Sequence, residues 1–136
     1  MIVHHIGFLV KNMETSIRSF MLLGYFVEKE KCHDSIRDVN ISFLKNKGGG
    51  RIELIEPNKG SSMYSLLRRY KNCPYHVCYS VRRMEDAVKK LESEHFIIIK
   101  EPEIAPCIEN KRVCFLSGGG IEMIELLEEG VCGNGS

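Results

Sequence analysis

Residues 43–56 read Phe-Leu-Lys-Asn-Lys-Gly-Gly-Gly-Arg-Ile-Glu-Leu-Ile-Glu, and residues 115–128 read Phe-Leu-Ser-Gly-Gly-Gly-Ile-Glu-Met-Ile-Glu-Leu-Leu-Glu. In both, Phe-Leu precedes seven residues and then Ile-Glu-Leu, so that Glu53 and Glu125 each fall nine residues after the leucine. A carboxylate inside an apolar strand is costly unless something compensates its charge. Two of them at matched places in one chain point to a duplicated unit with a shared purpose.

Working outward, the duplication extends almost to both ends. Residues 5–20 lie over residues 76–91 without a gap at an offset of 71, His5-Ile-Gly-Phe-Leu-Val10 over His76-Val-Cys-Tyr-Ser-Val81. Such internal similarity makes the unit of structure half the chain. In the first half, residues 2–10 alternate and are rich in β-branched and aromatic types, the pattern of a strand. Residues 13–23 carry apolar side chains at helical spacing, with Gly24 as the stop. Strands are expected over 25–31, 39–44 and 51–55, with Asn46 to Gly50 as a hairpin turn. The second half repeats the order, with a strand over 75–81, a helix over 84–94 and strands over 96–100, 112–116 and 122–128. The expected fold is α+β, two tandem βαβββ modules within one domain over 1–128. The first spans about 1–57 and the second about 74–128. Between them, 58–73 opens on Pro57-Asn-Lys-Gly60 and carries a short helix over 63–70 capped by Ser61 or Ser62. Arg68 and Arg69 of that helix suit a phosphate, although an exposed helix face accounts for them equally well. Residues 129–136 lack periodicity and read as a loose tail.

With 136 residues, 43% apolar content and a net charge of +1, the chain is long enough for a shared core. The charge balance gives no reason to expect nucleic acid as a partner. No apolar run is long enough to span a membrane, and the N-terminus reads as a strand rather than a leader, so a cytoplasmic location is expected. Six cysteines without a C-x-x-C pair read as reduced, structural thiols.

Strand parity sorts the polar residues. His5 shares a face with Gly7 and Leu9, while the large Phe8 and Val10 point to the helix side. His76 likewise shares a face with Cys78 and Ser80, so both histidines have mostly small partners, as the lining of a cavity would. Glu53 and Glu56 are three apart and face opposite ways, as do Glu122 and Glu125. Anchoring on Phe-Leu selects Glu53 and Glu125 as the matched pair; a rival register would select Glu122 and needs a three-residue deletion. His5 to Glu53 spans 48 residues and His76 to Glu125 spans 49. Taken singly, a strand histidine is usually a core residue and a strand glutamate usually faces solvent. Four at matched places form a metal-ligand set: His5, Glu53, His76 and Glu125. Imidazole nitrogen with carboxylate oxygen suits Zn, Ni, Co, Mn or Fe. His4, His33 and His95 have no counterpart in the repeat.

At these residues the chain resembles the vicinal oxygen chelate superfamily, which includes glyoxalase I and methylmalonyl-CoA epimerase. The resemblance is carried by His4-His-Ile-Gly-Phe-Leu-Val10, Leu22-Leu-Gly-Tyr25, Ile52-Glu-Leu-Ile-Glu-Pro57, Tyr75-His-Val-Cys-Tyr-Ser-Val81 and Ile124-Glu-Leu-Leu-Glu128. It implies a glyoxalase-like fold, in which paired βαβββ modules form a curved mixed sheet around a metal-binding cavity, and catalysis through a metal-chelated enolate or enediolate. The epimerase branch is the most similar, which implies proton transfer at the carbon beside an acyl thioester carbonyl. By position, His5, His76 and Glu125 match metal ligands, Glu53 matches a variable fourth ligand, and Glu125 also matches a base; Glu125 and Glu53 are therefore the catalytic candidates. The expected ion is Co, Ni, Zn or Mn. There is one departure: the second acid/base glutamate of epimerases has no counterpart before Val39-Asn-Ile-Ser-Phe-Leu44, leaving Asp34 or Asp38 as substitutes. Glyoxalase I activity on a small carbonyl substrate is the nearest alternative. A non-catalytic binding or resistance protein of the same fold is another, although its members commonly lack the ligands. A ring-cleaving dioxygenase fits less well, because it typically uses two His and one Glu. A homodimer is also expected, since family members often pair.

Overall fold

The computed structural model describes residues 1–130. The chain divides into two compact units, His5–Tyr75 and Met1–His4 with the chain from His76 onward. The first module runs β1 (Ile2–Leu9), α1 (Met13–Leu22), β2 (Tyr25–Asp34), β3 (Val39–Asn46) and β4 (Arg51–Pro57). The second runs β5 (Cys73–Val81), α3 (Met84–Ser93), β6 (Ile97–Ala105), β7 (Lys111–Gly118) and β8 (Ile121–Glu128). Between them a 3₁₀ turn over Tyr64–Leu66 leads into the short α2 (Leu67–Tyr70). The βαβββ order is therefore present twice, and the class is α+β.

Within each module the sheet is mixed. The order is β2-β3-β4-β1 in the first and β5-β8-β7-β6 in the second. β1 runs parallel to β4, and β5 parallel to β8, while the remaining pairs are antiparallel. The parallel pairing follows from connectivity, because a helix and two further strands separate the partners in sequence.

The helix of each module covers one sheet face. Val10, Met13, Leu44, Ile52 and Leu54 form a buried cluster, with Phe8, Ile17 and Phe20 packed against it. Met84, Val88, Leu116, Ile124 and Leu126 are part of the corresponding cluster in the second module. Burying each side chain of this size contributes about 1.5–3 kcal/mol, so the two helices are held by their apolar stripes. Gly24 ends α1 as expected: its φ is +95°, which a residue without Cβ adopts freely, and its N–H reaches Met21 O at 3.1 Å.

Glu56 and Glu128 anchor the other end of these helices. The backbone N–H of Met13 donates to Glu56 Oε2 and that of Met84 to Glu128 Oε2, each at 2.8 Å. A carboxylate at the start of a helix satisfies an N–H that has no intrahelical partner and meets the positive end of the helix dipole. The last residue of each repeated stretch thus fastens the strand to the helix it follows.

Three sequence expectations change. β6 continues past the expected 100 to Ala105 and includes Pro102. It lies at the end of the strand order, and its pairing with β7 shifts register between Lys100 and Glu103. Proline is tolerated on such an irregular edge because no ladder hydrogen bond is forfeited there. Cys32 and Cys107 are each disulfide-bonded rather than reduced; the state and connectivity of cysteines cannot be deduced from their spacing alone. Cys73, Cys78 and Cys114 are not disulfide-bonded. Cys114 is inert: burial pushes its thiol up to about 11, and it donates to Lys100 O at 3.2 Å. Of the expected loose tail, residues 131–136 lie outside the described residues. Glu129 is tied down, its N–H on Val81 O at 2.9 Å and its carboxylate on Ser80 and Lys111. Among the described residues, no helix is long and apolar enough to cross a membrane.

Candidate metal centre

In the first module, β1 and β4 bring one histidine and one glutamate together. Gly7 lies opposite Glu53 in the parallel pairing, and His5, two residues before Gly7, projects from the same face. His5 Nε2 stands 3.1 Å from Glu53 Oε1. Both residues are enclosed, with 0% of His5 and 3% of Glu53 exposed. On the other side of β4, Phe43 of β3 lies opposite Glu53. Its ring meets that of His5 edge to face, 5.4 Å between centroids and 76° between planes.

The second module repeats this contact for contact. Cys78 lies opposite Glu125, and His76 sits two residues earlier on β5. His76 Nε2 is 2.9 Å from Glu125 Oε1, and the exposures are 5% and 4%. Phe115 lies opposite Glu125, with its ring 5.4 Å from His76 at 89°. Parity therefore sorts the glutamates as the sequence suggested: Glu125 is buried beside a histidine, whereas Glu122 is exposed.

A buried carboxylate beside a buried imidazole is a site of compressed charge. Removing either group's water costs several kcal/mol unless a counter-charge or close hydrogen bonds replace it. Each pair offers one nitrogen and one oxygen to a cation, and all four residues are buried. The spacing fits such an occupant. Two ligands about 2.1 Å from one ion and at right angles are about 3.0 Å apart, against about 3.4 Å for a tetrahedral angle. The observed 3.1 and 2.9 Å match adjacent positions on a six-coordinate ion.

The other candidates are placed elsewhere. Asp34 is buried, but its carboxylate is consumed by the loop that follows: Oδ1 accepts the N–H groups of Ile36 and Arg37, and Oδ2 receives the Arg37 guanidinium at 2.7 Å. Asp38 accepts from Asn58 Nδ2 at 2.9 Å and lies 3.6 Å from His33 on the surface. Neither aspartate stands as an unengaged proton carrier. His95 is an exposed turn residue with φ +71°. The guanidinium of Arg69 lies 5.1 Å over the Tyr70 ring, an internal cation–π contact, while Arg68 lines a surface cavity. Sequence reasoning missed the role of Phe43 and Phe115, although the repeated Phe-Leu that aligns the two halves was its signal.

Three comparisons with known proteins bear on this arrangement. Residues 4–115 match the family model described as Glyoxalase/Bleomycin resistance protein/Dioxygenase superfamily. No curated protein matches the sequence. Among solved structures, methylmalonyl-CoA epimerase from Mycobacterium tuberculosis superposes with a TM-score of 0.79 at 19% identity, covering 93% of this chain and 86% of that one. A hypothetical protein from Bacillus halodurans gives 0.80 at 20% identity, covering 93% of each chain. A variant Streptomyces coelicolor methylmalonyl-CoA epimerase in complex with 2-nitronate-propionyl-CoA gives 0.77 at 15% identity, covering 94% of this chain and 96% of that one. At such identities the likeness is one of fold.

Proposed function

This chain belongs to the glyoxalase/bleomycin resistance protein/dioxygenase superfamily, and from that membership we propose that it is a divalent-metal-dependent isomerase of epimerase type, acting at the carbon beside the carbonyl of an acyl thioester. The observation that carries the reading is the pair of buried His–Glu contacts, 3.1 and 2.9 Å, at equivalent places in the two modules. In this proposal His5, Glu53, His76 and Glu125 hold one ion, drawn from Co, Ni, Zn or Mn by their mixed nitrogen and oxygen donors. Such an ion, when bound, supplies Lewis acidity at the substrate carbonyl and so acidifies the neighbouring C–H. Glu125 takes that proton. Since Asp34 and Asp38 are engaged elsewhere, the return of a proton from the opposite face falls to Glu53. Burial of both carboxylates keeps bulk water from competing for the proton in transit. Methylmalonyl-CoA epimerases with bound acyl-CoA compounds, among the structural neighbours, support the substrate class.

The engaged state of Asp34 also favours a second reading. With one carboxylate removing and returning the proton, the reaction becomes a glyoxalase I-type isomerisation of a hemithioacetal.

Metal content and proton exchange test both. The purified protein should take up one equivalent of metal and exchange the α-hydrogen of methylmalonyl-CoA for deuterium in deuterated water. Glu125→Gln should lower that rate about 10²–10⁴-fold. Failure to bind metal would remove the basis of the proposal. A loaded protein that is inert on acyl-CoA but converts the methylglyoxal–glutathione hemithioacetal would establish the second reading instead.

A further inference from the structure

α1 ends on Met21 and Leu22, with Leu23 as its cap, and these three side chains are 54%, 88% and 68% exposed. One exposed leucine is ordinary, but three large apolar residues in a row facing water are not. The duplication supplies its own control. At the offset of 71 the counterparts are Glu92, Ser93 and Glu94, which end α3 in the same way and are also exposed. The packing behind the two helix ends is shared: Tyr25 and Phe96, each two residues past its cap, lie against the buried cluster of their own module. Polar residues therefore satisfy the fold at this helix end, and the apolar triplet is not there to hold it.

Charge follows the same division. The β3–β4 hairpin closes against the end of α1: the Lys47 N–H donates to Gly24 O and Asn46 Nδ2 to Leu23 O, each at 3.2 Å. Together, residues 18–28 and 45–51 hold four cations, Arg18, Lys45, Lys47 and Arg51, and one carboxylate, Glu28, which Arg51 pairs at 2.7 Å. Arg18, Lys45 and Lys47 are exposed, and among the described residues no carboxylate pairs with them. The corresponding residues of the second module, 89–99 and 117–123, hold two cations, Lys89 and Lys90, and three carboxylates, Glu92, Glu94 and Glu122. The net charge of +1 for the whole chain conceals this local excess.

Shape and charge together select the occupant. Successive helical residues point about 100° apart, so Met21, Leu22 and Leu23 fan over roughly 200° around the end of α1. A flat protein face cannot cover a fan of that width; whatever buries it must wrap it. Fluid acyl chains do so, and cations beside an apolar tip are the complement of anionic headgroups. We propose that this end of the first module docks peripherally on an anionic lipid surface. Met21, Leu22 and Leu23 enter the acyl boundary, while Arg18, Lys45 and Lys47 meet the headgroups. The long aliphatic stems of the three cations let their charges stay at the headgroups while the leucines go deeper. This is attachment to a surface and not a crossing, and it stands apart from the reaction proposed above, since none of these residues belongs to the candidate metal centre.

Vesicle sedimentation with the full chain tests it, using phosphatidylcholine alone and phosphatidylcholine mixed with phosphatidylserine. The unaltered chain should partition at least about tenfold more strongly onto the anionic vesicles. Met21→Glu/Leu22→Ser/Leu23→Glu installs the second module's residues, which the same helix end already accommodates, and should lower that partition at least about tenfold. Lys45→Gln/Lys47→Gln, with the apolar triplet intact, should lower it about tenfold or more, and added salt should do the same to the unaltered chain. Ile97→Ser, at an exposed apolar position of the second module, should change nothing. A circular dichroism melt verifies that each variant folds, and the lysine variant decides alone if the triple variant does not. Absence of partition onto anionic vesicles overturns the proposal, as does equal partition of the unaltered chain and the lysine variant. Loss in the lysine variant with none in the triple variant also overturns it, because charge alone then accounts for binding. So does sedimentation without lipid in which the unaltered chain self-associates and the triple variant does not, which would assign the apolar tip to a contact between two copies.

Discussion

Phe43 and Phe115 touch the candidate ligands without offering a donor atom. Each lies across the strand from its glutamate and sets its ring against the histidine at 5.4 Å. An edge-to-face contact restricts imidazole rotation, so the ring aims Nε2 at the carboxylate. Phe43→Leu, which keeps most of the buried volume, should cost under about 1.5 kcal/mol of stability in a urea titration. It should nevertheless weaken metal binding about 10–100-fold in a competition assay, as loss of an orienting neighbour does. Unchanged affinity would make Phe43 a core residue and nothing more. At this scale the sequence was legible wherever period-two parity applied. Glu125 was separable from Glu122, and His5 from His4, because a strand offers only two directions. The partners of Asp34 were not legible. Its burial depends on a loop turning back so that Arg37 and two N–H groups meet it, and nothing in the spacing states that.

At the scale of elements, the helix starts differ between the modules in a testable way. Both glutamates that receive a helix N–H are also held from the adjacent strand: Glu56 by the Asn40 amide at 3.0 Å, and Glu128 by the Arg112 guanidinium at 2.9 and 3.0 Å. The neutral amide and the cation occupy corresponding places, and the cation sets a charge against its carboxylate. Hydrogen bonding from Arg112, with the Met84 N–H adding to it, holds the Glu128 carboxyl below its ordinary value of 4.5. A carboxyl lowered in the folded state stabilises fully above its ordinary, unfolded value and loses that contribution as pH falls from there through the lowered folded value. Arg112→Met should therefore cost about 1 kcal/mol at neutral pH, discounted for the partial exposure of the arginine. The deficit should shrink on acidification below 4.5. Denaturant midpoints at both pH values measure it, and a pH-independent deficit would assign the loss to packing. Element type and order were legible throughout from periodicity. Boundaries were weakest at β6, where Pro102 signals a break that an edge strand absorbs.

For the molecule as a whole, a ligand that binds only the native state raises its stability by mass action. Metal at 100 times its dissociation constant adds about 2.7 kcal/mol, which for a chain of this length moves the melting temperature by roughly 10 °C. A calorimetric scan should show that rise on loading with Co, Ni, Zn or Mn, and its loss with a chelator. Glu53→Ala/Glu125→Ala should show no rise with any of them. The tandem architecture was readable before any coordinates because the two halves align at an offset of 71 residues over the first strand and helix and 72 over the glutamate-bearing stretch. The disulfide-bonded state of Cys32 and Cys107 was not, since cysteine pairing is a property of three-dimensional proximity and surroundings. One feature joins all three scales. Glu53 and Glu125 are followed three residues later by the carboxylates that grip the helix starts. A one-residue slip of the strand would turn the ligand outward and, in the same movement, pull the grip off the helix. Misalignment is thus penalised twice and over-determined against, within a span of four residues. A segment built this way carries its own ruler, and copying it in tandem copies the ruler too. The second histidine–glutamate pair needs no new instruction to fall into line.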